Sequence, residues 1–311
     1  MKAPEIVVDL EGDYLAWLRR ELQGMGVPLP AGATELAEIS YIYWNARKRH
    51  IPPRPRAVHL AREFRMPSEK GDSEGATRLL RLFESGANVN GYLSRYAKRP
   101  AALPGKGEKA KADPFHDGLF NAWGIQHFHR DDGTGTSKPR SSMMLFAIVK
   151  PTDVYLIDVL PHGKWSEQEL MERVHLNWPH LLEHHRLPRE EKVPGTERLT
   201  DHEVATLRRK GASAVYTAED GTDYLPPGGG QVFAGIGLDV VIAANRAAGA
   251  ISHWHSQMKD CHESIADMFE RAGAPVPDSV TLKLKIDEEY IIHVVEPTLG
   301  FSISLGPLFP N

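Results

Sequence analysis

His127 and His129 stand one residue apart in the run GIQHFHR, residues 124–130. Side chains on a strand alternate between faces, so on a strand the two imidazoles share one face and Phe128 takes the other. Arg140, Asp158, His162 and Lys164 follow within the next 35 residues. Imidazole titrates near neutral pH and serves as base or acid. Guanidinium matches phosphate oxygens with a forked set of donors. Together these groups suit metal-free cleavage of RNA, in which the ribose 2′-hydroxyl attacks the neighbouring phosphate. His127 or His129 would be the base and His162 the acid. Arg140 would hold the phosphate, and Asp158 would orient one imidazole. No cofactor is needed for that chemistry.

The elements that must position this set are strands. Ile125–Arg130 reads as one. Ser142–Val149 (SMMLFAIV) is almost wholly apolar and Val154–Leu160 (VYLIDVL) nearly so. Such runs suit strands buried on both faces. Lys150-Pro151-Thr152-Asp153 has the length and residues of a hairpin turn. In simple register Val149 faces Val154, Leu145 faces Asp158 and Ser141 faces His162. The open end of the hairpin would then gather Arg140, Ser141, Ser142, His162 and Lys164. A slip of one residue would turn the set to the other face. Ser166 with Glu169 predicts a capping box and a helix directly after the hairpin.

The segment RSSMMLFAIVKPTDVYLIDVLPHGKW resembles the central hairpin of RelE-type mRNA interferase toxins. These have an arginine opening one apolar strand, a short turn, a second apolar strand and a basic or histidine-containing tail. The resemblance covers about residues 138–165. It implies an endoribonuclease used as a toxin or defence effector, with Arg140 on phosphate, His162–Lys164 at the catalytic end and a neutralising protein as partner. Two features depart from that pattern: the chain is long, and a His-x-His strand precedes the hairpin.

Two other readings stand beside it. A His-x-His strand with His162 is also the start of a zinc or manganese site in a metal-dependent hydrolase, with Asp158, Asp131 or Asp132 able to complete it. Alternatively, the histidines are hydrogen-bonded structural groups in a protein that binds nucleic acid or another protein.

Charge is uneven along the 311 residues. Residues 1–140 carry a net +5 and the remainder −9, which points to a polyanion-facing surface in the first part. Arg47, Lys48 and Arg49 are the candidate nucleic-acid contacts there, with Lys164 from the hairpin. They open a basic segment running to Arg65, and Tyr41, Tyr43 and Trp44 just before it could stack bases or face the core. The single cysteine, Cys261, excludes an internal disulfide and a site of several thiolates. No apolar run reaches the length of a membrane span, and acids among the first residues argue against a signal peptide. A cytoplasmic protein is expected.

The fold class expected is α+β: an antiparallel sheet packed by helices, with a mostly helical N-terminal part. Pro100–Pro114 is the best linker, dividing a basic helical domain over 1–105 from an α+β putatively catalytic domain over 106–311. The glycine-rich loop PPGGG (226–230) lacks the spacing of a phosphate-binding motif and reads as a turn. Leu238–Ala272 reads as one long helix whose His253, His255 and His262 are structural. Ser279–Ile286, Tyr290–Val295 and Phe301–Leu305 read as closing strands, the first as a half-exposed edge.

Overall fold

The computed structural model describes residues 4–93, 117–131, 143–161, 163, 168–188, 198–232 and 236–308. Helices and mostly antiparallel sheets give an α+β protein. The chain forms two compact units: Met1–Trp44 with Val240–Asn311, and Asn45–Asp239. This grouping differs from the expected division into 1–105 and 106–311. The residues around that expected boundary lie outside the described ones. Among the described residues no helix is long and apolar enough to cross a membrane.

The first unit holds a four-stranded sheet in the order β1 (Glu5–Val8), β8 (Ser279–Ile286), β9 (Ile291–Glu296), β10 (Phe301–Pro307). β8 is therefore interior, paired with β1 in parallel and with β9 antiparallel. Its alternation of buried Val280 and Leu282 with exposed Thr281 and Lys283 reports one open face, not a free edge. Helix α1 (Leu10–Gly24) is capped by Asp9, whose carboxylate accepts from Gly12 N–H at 2.9 Å. Tyr43 and Trp44, in α2 (Leu36–Arg49), are buried beside Trp17 and Tyr290. They serve the core of this unit and are not open to stack bases. The long helix divides into α7 (Leu238–Lys259) and α8 (His262–Arg271).

The second unit is built on the sheet β2 (Ala57–Leu60), β5 (Asp153–Pro161), β4 (Met143–Val149), β3 (Gln126–His129), in that order. β4 and β5 are the expected hairpin, and Val149 faces Val154 as predicted. β2 joins β5 in parallel, so a strand from the basic segment completes the central sheet.

One face of the sheet carries Phe128, Leu145 and Val159 against α3 (Lys70–Ser85), where Phe83 meets Phe128 edge-on at 5.4 Å. The other carries His127, Phe146, Asp158 and Tyr155 toward α5 (Glu169–Asn177) and Trp178. Gln168 precedes α5 without a side-chain cap, and Ser166 of the expected capping box lies outside the described residues. Helix α4 (Gly118–Trp123) leads into β3, and α6 (Asp201–Arg209) starts with a capping box of Thr200 and Glu203. The small hairpin of β6 (Tyr216–Thr217) and β7 (Asp223–Tyr224) is tied to α5 by Tyr216 Oη, which donates to the buried Glu172 at 2.6 Å.

The 226–230 loop is a turn whose donors are consumed locally. Gly228 N–H donates to Ala122 O at 3.0 Å and Gly230 N–H to Asn121 O at 2.8 Å. A loop that spends these N–H groups on the end of α4 does not offer them to a phosphate.

Candidate functional site

β3 pairs with β4 so that His127 faces Phe146 and His129 faces Met144. Both imidazoles therefore project from one face, as the alternation requires. Their ring centroids are 6.1 Å apart with planes at 74°. His127 is buried and 6.4 Å from the Phe146 ring, while His129 is part-exposed at the strand end. The sheet thus provides one enclosed and one accessible imidazole on a rigid strand.

Asp158 shares this face but not this site. β5 carries an extra residue, Ile157, between the pairs Ala147–Leu156 and Phe146–Asp158. This bulge moves Asp158 opposite Phe146 instead of the expected Leu145. The row across the sheet is His127, Phe146, Asp158, so the carboxylate lies two strand spacings, roughly 10 Å, from His127 with a phenylalanine between. Asp158 accepts from Val159 N–H at 2.8 Å and from the Arg173 guanidinium. Arg173 also donates to Glu169 at 2.6 Å. The expected role of Asp158 in orienting His127 is thus corrected: the carboxylate fastens α5 to the sheet.

Burial pushes the Asp158 carboxyl above the usual range, opposed by the Val159 N–H and by Arg173. A raised native value means the group's stabilisation is full below the unfolded value of about 3.9 and is lost as pH rises through the native one. Arg173 limits that loss. Arg173→Met is therefore expected to destabilise the fold by about 2–3 kcal/mol at pH 7. The loss should be smaller at pH 4, where less of Asp158 is ionised. Urea denaturation at the two pH values checks this, and an equal loss at both would contradict it.

Arg130 ends β3 on the opposite face. It pairs with Asp72 at 3.3 Å and Asp131 at 3.2 Å, so its charge is committed. Arg140, His162 and Lys164 lie outside the described residues. Among the described residues no three His, Cys, Asp or Glu side chains group to hold a metal ion.

The basic candidates from α2 separate. Arg49 is buried, donates to Asn121 Oδ1 at 3.1 Å and to the Asn45 side chain, and lies over the Phe120 ring. Burial lowers its pKa from the ordinary arginine value. A guanidinium so enclosed braces α2 against α4 and does not meet a nucleic acid, which corrects that expectation. Lys48 donates to Gly228 O at 2.8 Å and pairs with Asp239 at 2.7 Å. Arg47 and Lys48 line a cleft at the closed end of the hairpin, away from His129.

The sequence reading passed over a third group. His59 on β2 holds Asp153 at 2.7 Å and stacks on Tyr155 at 4.8 Å. Its signal, a histidine in the short alternating run AVHL, was hidden within the basic segment. No family model, curated protein or solved structure matches the chain.

Proposed function

We propose that the protein is a nucleic-acid-directed hydrolase, an endoribonuclease that cleaves without a metal at the His127–His129 face. The observation that carries this reading is the imidazole pair itself, two rings on one sheet face with centroids 6.1 Å apart. In-line attack places the incoming 2′-oxygen and the leaving 5′-oxygen on opposite sides of phosphorus. A base and an acid, each reaching its oxygen through a hydrogen bond of about 2.8 Å, must stand apart by the width of the phosphate. Rings in van der Waals contact could not straddle it.

The neutral imidazole takes the 2′-hydroxyl proton as the O2′–P bond forms. The protonated one gives its proton to O5′ as the P–O5′ bond breaks. The products are a 2′,3′-cyclic phosphate and a 5′-hydroxyl. In this scheme Arg140 meets the charge on the phosphoryl oxygens, and His162 and Lys164 complete the site from the hairpin's open end. The resemblance of residues 138–165 to RelE-type toxins supports the same reaction class. It is the basis for reading the enzyme as a cytoplasmic toxin or defence effector with a neutralising partner.

The test is incubation of EDTA-treated protein with end-labelled single-stranded RNA and with DNA of the same sequence. RNA should be cut in EDTA, fastest near neutral pH where one imidazole is neutral and the other charged, and DNA should stay intact for want of the 2′-hydroxyl. Cleavage abolished by EDTA and restored by zinc or manganese would favour the metal-dependent hydrolase. Intact RNA under all conditions would leave a binding module.

A further inference from the structure

The cleft at the closed end of the β4–β5 hairpin has a volume of about 280 Å³, and none of the described residues lining it is acidic. Its cations come from three separate segments. Arg47 and Lys48 end α2, Arg54 and Arg56 lie in the loop leading to β2, and Lys150 is in the hairpin turn. Phe120 contributes an aromatic wall.

Basic residues in the last turn of a helix offset its negative end, which accounts for Arg47 and Lys48 without a ligand. It does not account for Arg54, Arg56 and Lys150, which belong to no helix. Arg56 is 5 % exposed and its donors all go to backbone carbonyls: Nε to Lys150 O at 2.9 Å, and the two terminal nitrogens to Arg54 O and Pro52 O at 3.0 Å. No carboxylate is among those partners, so a buried positive charge is left uncancelled by its bonds. The same bonds clamp the loop bearing Arg54 to the turn bearing Lys150, and both of these side chains are exposed. Burial and then the charge of Arg54 draw Arg56 below the ordinary arginine value, so a bound anion would relieve a repulsion already present.

We propose that this cleft binds the phosphate of a nucleotide, with Arg54, Arg56 and Lys150 on the phosphate and Phe120 beside the base. Its volume lies at the lower limit for small-ligand pockets, about 300 Å³, which admits one nucleotide and excludes a duplex. The phosphate comes from a single strand or from a free nucleotide. The inference deepens the nucleic-acid-directed reading and rests on it, but concerns binding at the hairpin end opposite the proposed chemistry.

Fluorescence anisotropy with labelled single-stranded DNA reads binding without cleavage, because DNA lacks the 2′-hydroxyl. The variant is Arg54→Glu with Lys150→Glu, two exposed positions. The control is Arg19→Glu with Arg20→Glu, which changes net charge equally at two exposed positions of α1. The cleft variant should bind at least tenfold more weakly, and its log–log salt slope should fall by about 1.4, the value for two lost contacts on a single strand. The control should stay close to the parent. Displacement of the probe by adenosine monophosphate would assign the cleft to a free nucleotide, and displacement only by unlabelled oligonucleotide to a strand. No binding by the parent protein, or equal losses in variant and control, would overturn the proposal. Binding with these properties but no RNA cleavage would refute the ribonuclease reading alone.

Discussion

Replacing His127 and His129 together by alanine is expected to lower RNA cleavage by at least about 10³-fold, because the pair supplies both proton transfers and each contributes about 10²-fold or more. The single losses should not add, since a base without its acid serves only part of the step. His127 is 7 % exposed and faces Phe146, so its truncation also opens space in the sheet's packing. The comparison must therefore be made at matched folded fraction, read by circular dichroism. His129→Ala avoids that difficulty because the ring is part-exposed at the strand end. It should leave the melting temperature nearly unchanged and reduce cleavage by about 10²-fold. Full activity in His129→Ala would remove the imidazole pair from the chemistry.

Gly86→Ala is expected to give the largest loss of stability, at least about 3 kcal/mol. Two effects act together. Gly86 ends α3 with φ at 75°, where a side chain is strained by about 1–2 kcal/mol. A β-carbon there would also stand 2.4 Å from Pro55 N and 2.6 Å from Arg54 C. Those are backbone atoms of the loop that carries the cleft cations, held by the bond from Arg56 N–H to Phe83 O at 2.9 Å. Relief would require the loop to leave α3 or the helix end to unwind. Chemical denaturation measures the loss, and a change below about 1 kcal/mol would show that the loop yields freely. An intermediate loss accompanied by weaker binding of single-stranded DNA would tie the loop's position to the cleft.

The central hairpin was legible because its signal is local. Two apolar runs around a Pro-containing turn fixed the β4–β5 pairing as far as Ala147 and Leu156. Beyond that the reading failed at Ile157. A bulge leaves no mark in an apolar run, since Ile157 is buried like its neighbours, and the shift carried Asp158 away from its expected partner. The His-x-His face was legible for the same reason as the hairpin: alternation needs only the strand. β1 and β2 were missed because each has only four residues and pairs in parallel with a distant strand. Their stability comes from partners that local pattern does not reveal.

Arg49 shows a different limit. Three cations in sequence look alike, yet the helical turn sends Arg49 inward to Asn45 and Asn121 while Lys48 reaches Asp239. Lys150, read only as a turn residue, acquires its place in the cleft through the carbonyl it offers to Arg56. Charge in a sequence gives the count of cations; the sheet and loops decide which face a ligand.

The most direct test of the proposed chemistry is mass spectrometry of the new ends formed when EDTA-treated protein acts on a short single-stranded RNA. Attack by the 2′-hydroxyl, with the imidazoles moving the protons, must leave a 2′,3′-cyclic phosphate on one fragment and a 5′-hydroxyl on the other. A 5′-phosphate paired with a 3′-hydroxyl would contradict it, because those ends require attack by water or another external nucleophile and leave the 2′-oxygen unused.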